Sequence, residues 1–513
     1  MNMLKIQEVI RNNILKIETV NKWSIYGTGE GAEKIWRILK ELGIVDKIQC
    51  VFDNDEKVKK QLVFHGFNVT TLKKDIGSVQ VILVGAECNH REIYKRLSEF
   101  IDQQDINNVI IIDPFLYEVT GEDEKHYIEY LEKNYKKNED YVTISDVDYV
   151  PMKGDSKIIA WYLPQFHQME INNKYHGQGF TEWTNTTRVI PQFEGHYQPH
   201  IPYDVGYYDM MNPDTLKRQI WLAKKYGIYG FGFFYYWFSG KRIMEKPMYM
   251  LLEHKELDIP FCFHWATDDW SMSWYGGNSE VILKQDIPDA EKFWKDIAPF
   301  FADQRYIKIE GKPLLIVYKC YVFPLNEFKS FLEKIRGLAK KSGFPDLYIM
   351  ISTGDGSFED VDLWGGDALV EYQPWKFYKS KLIENVLPKG YINPNFKAYI
   401  SDIRVALRDK AYLSHYDCNK YFRSALTSWD NSARKKESNA IVMWGNTPQF
   451  MKQWLVDIME ESKKIHKEEE DFVFISSWNE WAEGSHLEPD YKYGYAWLEA
   501  VREAIEECRK RNK

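Results

Sequence analysis

The sequence predicts an α/β protein in two parts, a small Rossmann-like domain followed by a (β/α)8 TIM barrel. Apolar, β-rich runs alternate with amphipathic helical stretches along most of the chain, the signature of parallel strands joined by crossover helices. Its 513 residues exceed what one ordinary core holds, so more than one domain is expected. Carboxylates and tryptophans gather where strand-like runs end, most densely in Phe472–Asp490, as in a barrel whose active site lies at the C-terminal ends of its strands.

The opening stretch, MNMLKIQEVIRNNILKIETV, reads as an amphipathic helix without the continuous apolar core and cleavage site of a signal peptide. From Lys22, WSIYGTGEGAEKIWRILKELG gives a strand, a glycine turn and a helix. KIQCVFDND supplies a second strand ending in Asp53, VQVILVGA a third ending at Gly85, and NVIIIDP a fourth finishing at Asp113. Gly27, Gly29 and Gly31 lie where the first strand meets its helix, and Asp53 stands where a ribose-binding acid is expected. The pattern is G-x-G-x-G-A rather than the full fingerprint, over about half a dinucleotide fold. A nucleotide or nucleotide-sugar site and a vestigial fold both remain open, and hydride chemistry is not expected. This domain spans 1–120, with a charged helical linker over 121–155 and the barrel over 156–513.

From Lys157 the apolar runs are IIAWYLP, IYGFGFFYYWF, PFCFHWA, PLLIVYK, LYIMIS, ALVEYQP, AIVMWG and FVFISSW, most of them separated by helical patterns such as PDTLKRQIWLAKKYG. Their ends carry Tyr162 and His167, Tyr235 to Phe238, His264 to Trp270, Glu371 and Tyr372, Trp444, and Trp478 to Glu483. Glu480 and Glu483 are three apart, so a helical turn there puts their β-carbons roughly 5–6 Å from each other. That suits a pair of catalytic carboxylates on one sugar; the competing reading makes Glu483 a solvated acid favoured by the helix dipole.

Composition narrows the function. A net charge of -9 gives no basic face for nucleic acid. Aromatics make up 16% of the chain and cluster between Trp161 and Trp274, which fits stacking on sugar faces, although most of them fill the core. Six cysteines without metal-type spacing read as reduced thiols, pointing to a cytoplasmic protein. No run of eighteen apolar residues occurs, so an integral membrane segment is not expected, while peripheral association stays allowed. His176 and His200 show no metal-ligand spacing, and no metal site is expected.

At the level of motifs the chain resembles a known family. YLPQFH (Tyr162–His167), GFTEWTN (Gly179–Asn185), GHYQPHIPYDVGYYD (Gly195–Asp209), YGIYGFGFFYYWFSGKR (Tyr226–Arg242), DQRYIKIEGKPLLIVY (Asp303–Tyr318), WDNSARK (Trp429–Lys435) and SWNEWAEGSHLEPD (Ser477–Asp490) look like the WbsX family of bacterial surface-polysaccharide proteins. That family is similar to glycoside hydrolase family 99, the endo-α-mannosidases and endo-α-mannanases. The resemblance covers Lys157 to Arg502 and implies a (β/α)8 barrel. Where the family commonly reads W-A-N-E-N-W, this chain has Trp265, Ala266, Thr267, Asp268, Asp269 and Trp270, with the acid shortened and the amides lost.

The resemblance implies a retaining reaction in which one carboxylate takes the proton of the sugar's 2-hydroxyl while the other protonates the leaving oxygen. By motif, Glu480 is the base and Glu483 the acid/base, and the chemistry requires no cofactor. Glu182, Trp183, His196, Asp268, Asp269 and Glu371 are candidates for binding sugar hydroxyls, with Tyr236, Trp237 and Trp270 as stacking surfaces. Trp429, Asp430, Asn431 and Arg434 form a compact motif read as a loop over the site. Tyr162, His167, Trp265, Asn479 and Trp481 complete the substrate-binding candidates from the strand ends. The expected function is cleavage or rearrangement of an α-linked, mannose-like oligosaccharide or polysaccharide. The alternatives are a glycosyltransferase of capsule or O-antigen assembly and a non-catalytic glycan-binding protein.

Overall fold

A computed structural model describes the chain except residues 1–2, 15–19, 54–62, 88, 105, 107, 116–127, 130, 133–134, 273–279, 353–359, 379–381, 386–392, 394–395, 417–419, 436–437 and 512–513. Much of the linker helix expected within 121–155 lies outside the described residues. The chain divides into two units. One comprises Met1–Asn134 with Pro191–His196 and Pro388–Phe396, the other Tyr135–Ile190, Tyr197–Leu387 and Lys397–Lys513.

The first unit is built on a six-stranded sheet. Its strands are β1 (Trp23–Tyr26), β2 (Ile48–Phe52), β3 (Val63–Phe64), β4 (Phe67–Thr70), β5 (Val81–Val84) and β6 (Ile110–Ile112), in the order β3-β4-β2-β1-β5-β6. All neighbours pair in parallel except the β3–β4 hairpin. Alternate side chains serve opposite faces. Trp23, Ile25, Val81 and Leu83 pack with Ile6 and Ile10 of α1 (Met3–Ile14) and Ile35 and Ile38 of α2 (Glu30–Glu41). Tyr26, Ile82 and Val84 pack with Leu97 and Ile101 of α3 (His90–Gln103). Helices therefore cover both faces, which is why the central strands read as unbroken apolar runs.

The second unit is a parallel barrel. Its strands are β7 (Lys157–Tyr162), β8 (Ile228–Phe238), β9 (Phe261–Ala266), β10 (Lys312–Tyr318), β11 (Tyr348–Ser352), β12 (Ala368–Val370), β13 (Tyr421–Phe422), β14 (Ser424–Leu426) and β15 (Phe472–Ser476). They run in the order β13-β12-β11-β10-β9-β8-β7-β15-β14. β13 and β14 are one stretch of chain interrupted at Arg423, so β12 on one side and β15 on the other meet the same segment and the ring closes as eight strands. The Arg423 carbonyl itself accepts from the Phe474 N–H at 2.9 Å.

This closure corrects one element of the sequence reading. AIVMWG, expected as the seventh barrel strand, belongs to Ser438–Trp444 in a separate four-stranded sheet with Glu384–Asn385, Lys397–Asp402 and Trp429–Asp430. The true seventh strand, YFRSAL, carries an arginine at its centre. Arg423 is buried against Glu371 at 2.9 Å and Glu461 at 2.7 Å, and Glu371 also accepts from Tyr416 Oη at 2.8 Å and the Ser424 N–H at 2.8 Å. A buried charge is tolerable when paired and hydrogen-bonded in this way.

Candidate active site

The last barrel strand, β15, delivers the site. Beyond it, Asn479–Glu480 pairs antiparallel with Ser485–His486, and the connection Trp481–Glu483 is a single 3-10 turn closed by Gly484 at φ +62°. A left-handed φ favours glycine, and it makes the hairpin tight enough to bring both glutamates to one end. Asn479 docks the hairpin on the end of β7, accepting from the Leu163 N–H at 2.8 Å and donating to the Leu163 carbonyl at 3.1 Å. Gln165, two residues further along, donates to Glu480 Oε1 at 3.0 Å.

Arg434 organises the carboxylates. Its Nε contacts Glu182 Oε1 at 2.7 Å, its Nη2 contacts Glu480 Oε1 at 2.6 Å and its Nη1 contacts Glu483 Oε1 at 2.9 Å. One planar guanidinium thus spans three acids through its fixed fork of donors, a task a lysine point charge cannot perform. Each of these contacts ends on Oε1. All four side chains are at least nine-tenths buried.

Burial controls the protonation of this cluster. It pushes the Glu480 carboxyl up to about 8 against the lowering pull of Arg434, with Glu483 and Glu182 adding to the rise. Burial also raises Glu483, again opposed by Arg434. Three acids around one cation cannot all ionise cheaply in a low-dielectric setting, so the cluster favours keeping a proton at neutral pH.

The glutamates open into a cavity of about 410 Å³, within the size range of small-molecule sites. Its walls include Phe234, Tyr236, Trp270, Tyr318, Tyr372, Trp375 and Trp429, with Gln165, Asp268, Asp269, Lys319, Asn431, Arg434 and Lys435 as polar groups. Lys319 pairs with Asp268 at 3.0 Å, and Asp269 accepts from the Gln285 N–H at 2.6 Å.

The candidates from the sequence divide accordingly. Glu480, Glu483, Tyr236, Asp268, Asp269, Trp270, Trp429 and Arg434 line the cavity, and Glu182 reaches the cluster through Arg434. Several others do not line it. Trp237 packs on Phe293, and Trp265 on Phe293, Phe323 and Phe331, because alternation along β8 and β9 sends them outward. Tyr162 donates to Gln219 at 2.7 Å, and Trp183 donates to the Tyr208 carbonyl at 2.8 Å. His167 is buried, its imidazole pushed down to about 4 by desolvation. Asp430 accepts from the Ser432 N–H at 2.9 Å, while Glu371 serves the barrel seam. Trp481 donates to Glu488 Oε2 at 2.7 Å and stacks on His486. His196 falls in the first unit, stacked on Phe193.

Residues missed by the sequence reading include Gln165, Tyr318, Lys319, Trp375 and Lys435. Gln165 and Lys435 sat inside quoted motifs, and Tyr318 and Lys319 end a strand, so position alone could have flagged them.

In the first unit, Gly27 adopts φ +109°, and a β-carbon added at Gly31 would meet the Gly85 carbonyl oxygen at 2.6 Å. These glycines pack the first turn tightly on β5. Asp53 accepts from Thr28 Oγ1 at 2.9 Å. Gly29 precedes α2 in an extended conformation. No helix among the described residues is long and apolar enough to cross a membrane.

The profile of the family described as "Glycosyltransferase WbsX" matches residues 158–501. "Uncharacterized protein WxcX" of Xanthomonas campestris pv. campestris (strain B100) is 32% identical over 358 residues, 69% of this chain and 50% of that protein. The chain thus spans about half the length of the curated relatives it matches. Among solved structures, the GH99 endo-α-mannosidase of Bacteroides thetaiotaomicron with bis-tris-propane is similar at 14% identity and a TM-score of 0.43, over 71% of this chain and 99% of that one. A "Glycoside hydrolase-like protein" is similar at 12% identity and a TM-score of 0.44, over 71% of this chain and 98% of that one.

Proposed function

Because the chain belongs to the WbsX glycosyltransferase family, we propose that it is a carbohydrate-active enzyme acting on an α-linked, mannose-like glycan by a retaining two-glutamate mechanism. The observation that carries this reading is the Arg434 fork, which holds Glu480 and Glu483 together on the wall of the cavity.

Glu480 removes the proton of the sugar's 2-hydroxyl, and that oxygen attacks the anomeric carbon to form a 1,2-anhydro sugar. The bond to the leaving oxygen breaks as Glu483 gives it a proton. Glu483, now ionised, deprotonates the incoming hydroxyl, which opens the anhydro ring as Glu480 returns its proton to the 2-oxygen. A base whose affinity for protons is raised by burial is better matched to a sugar hydroxyl than an ordinary carboxylate. Tyr236, Trp270 and Trp429 supply rings for sugar faces.

The incoming hydroxyl belongs to water in a hydrolase and to a second sugar in a transglycosylase. A nucleotide-sugar donor inside the barrel is disfavoured by charge. The lining has three cations, Lys319, Arg434 and Lys435, against four acids, Asp268, Asp269, Glu480 and Glu483, and a diphosphate calls for the reverse balance. A nucleotide or nucleotide-sugar role, if the chain has one, falls to Gly27, Gly29, Gly31 and Asp53 of the first unit. Surface-polysaccharide metabolism is the setting this reading supports.

The test is mass spectrometry of α-mannoside oligosaccharides incubated with the protein and with Glu480→Gln and Glu483→Gln, with and without nucleotide sugars. Shortened or rearranged products that vanish in both variants support the proposal. Elongation that depends on a nucleotide sugar and survives both substitutions overturns it.

A further inference from the structure

Behind the catalytic hairpin lies a second polar cluster that the glycan chemistry does not use. His200, His486 and Asp490 are 5%, 2% and 0% exposed, and one ligand-capable atom from each falls within 4.8 Å of the others. His486 Nδ1 lies 2.9 Å from the Glu488 carbonyl oxygen. A carbonyl only accepts, so Nδ1 carries the proton and Nε2 presents a lone pair. That lone pair points to His200 Nδ1 at 2.7 Å and faces Asp490 Oδ2 at 3.8 Å.

Asp490 supplies the second observation. Its Oδ1 accepts from the Tyr493 N–H at 2.6 Å. Its Oδ2 is buried without a close hydrogen bond among the described residues, its interaction with Tyr197 Oη, whose ring stacks on His200, being a loose one. A buried carboxylate oxygen met only loosely by a hydroxyl, beside two imidazoles, gains from a cation that meets it directly.

We propose that His200, His486 and Asp490 form a structural binding site for a divalent transition-metal cation, zinc by the chemistry of its donors. Two neutral imidazoles and one carboxylate are a known zinc donor set. Ligand atoms around a tetrahedral zinc lie about 3.3 Å apart, given bonds of about 2.0–2.1 Å. The separations of 2.7 Å and 3.8 Å straddle that value, so small side-chain shifts form the site. Binding moves the His200 proton from Nδ1 to Nε2, freeing Nδ1 as a ligand. The His486 Nδ1–H bond to a backbone carbonyl is the kind of outer contact that orients a ligating imidazole. The cation clips the segment around His200 to the strand end at Ser485–Asp490. His486 stacks on Trp481 with ring centroids 3.7 Å apart, so the clip braces the turn bearing Glu483.

The experiment uses the full chain without a polyhistidine tag, stripped with a chelator and titrated with Zn2+ or Co2+. Metal analysis of the zinc form and the visible absorption of the cobalt form are expected to give about one equivalent per chain, as a single site of three protein ligands and a water requires. The unfolding temperature should rise on Zn2+ addition. Asp490→Asn keeps the oxygen that accepts from Tyr493 and removes the anionic ligand, so it should fold yet lose the bound equivalent and the zinc-dependent rise. His200→Asn should do the same. A stripped wild-type protein that takes up no Zn2+ or Co2+, or an Asp490→Asn protein with undiminished metal content and cobalt spectrum, overturns the proposal. Because the readouts are stoichiometry, spectrum and unfolding, they are independent of which glycan the barrel acts on.

Discussion

Replacing Arg434 by methionine strips the bridging guanidinium from three carboxylates whose side chains are 3%, 5% and 8% exposed. Removing one partner of a buried ion pair costs about 3–5 kcal/mol, and here three bonds end on the lost group, so the upper end is expected. The acids can escape part of that cost by taking up protons, which makes the loss depend on pH. Without Arg434, the folded pKa values of Glu480 and Glu483 lie further above the unfolded value of about 4.3. The folded state then binds more protons than the unfolded one, and stability falls as pH rises. The variant should approach wild-type stability near pH 5 and lose most at and above the value of about 8 to which Glu480 is already raised with Arg434 present. Thermal unfolding at pH 5, 7 and 9, read beside glycan turnover, checks this. Turnover should drop at least 100-fold, or about 2.7 kcal/mol of transition-state stabilisation, because the glutamates lose their shared anchor. Arg434→Lys should recover stability in part and turnover little. A destabilisation equal at all three pH values, or a Met variant with ordinary turnover, would refute the reasoning.

In wild-type protein, kcat/KM for glycan should be bell-shaped in pH, because one glutamate must be ionised while its neighbour is protonated; Glu480→Gln and Glu483→Gln should flatten it along with activity. Trp270→Ala should raise KM with little change in unfolding temperature, whereas Trp237→Ala, which empties a packed position against Phe293, should cost about 3–5 kcal/mol and leave KM of the surviving folded fraction unchanged. Glu371→Gln should destabilise the barrel, by less than the roughly 3–5 kcal/mol of a fully broken buried pair because Arg423 keeps Glu461, measured by denaturant unfolding, with no selective effect on substrate affinity. Gly31→Ala drives a methyl to within 2.6 Å of a backbone oxygen and should lower the unfolding temperature of the first unit while sparing the barrel transition in calorimetry.

The sequence disclosed the barrel because most of its strands are apolar on both faces, and it disclosed the glutamates because they crowd one short stretch. It concealed the seventh strand. YFRSAL holds an arginine whose partners, Glu371 and Glu461, lie far away in the chain, while the more apolar AIVMWG is drawn into the side sheet. The outward tryptophans were readable in part. Tyr236 and Trp237 are adjacent on one strand and must face opposite ways, as must Trp265 and its neighbours. The role of Arg434 was out of reach, since its three acids come from two other segments and only folding brings them together.

The pairing of β7 with β15 has a temporal side. Gln165 follows the first barrel strand and Glu480 the last, and Asn479 joins them at Leu163. The ribosome releases those two strands more than three hundred residues apart, so no shorter nascent chain contains both halves of the reaction centre. The candidate site cannot assemble until the last barrel strand has been made, and a cut between the two strands separates its two halves.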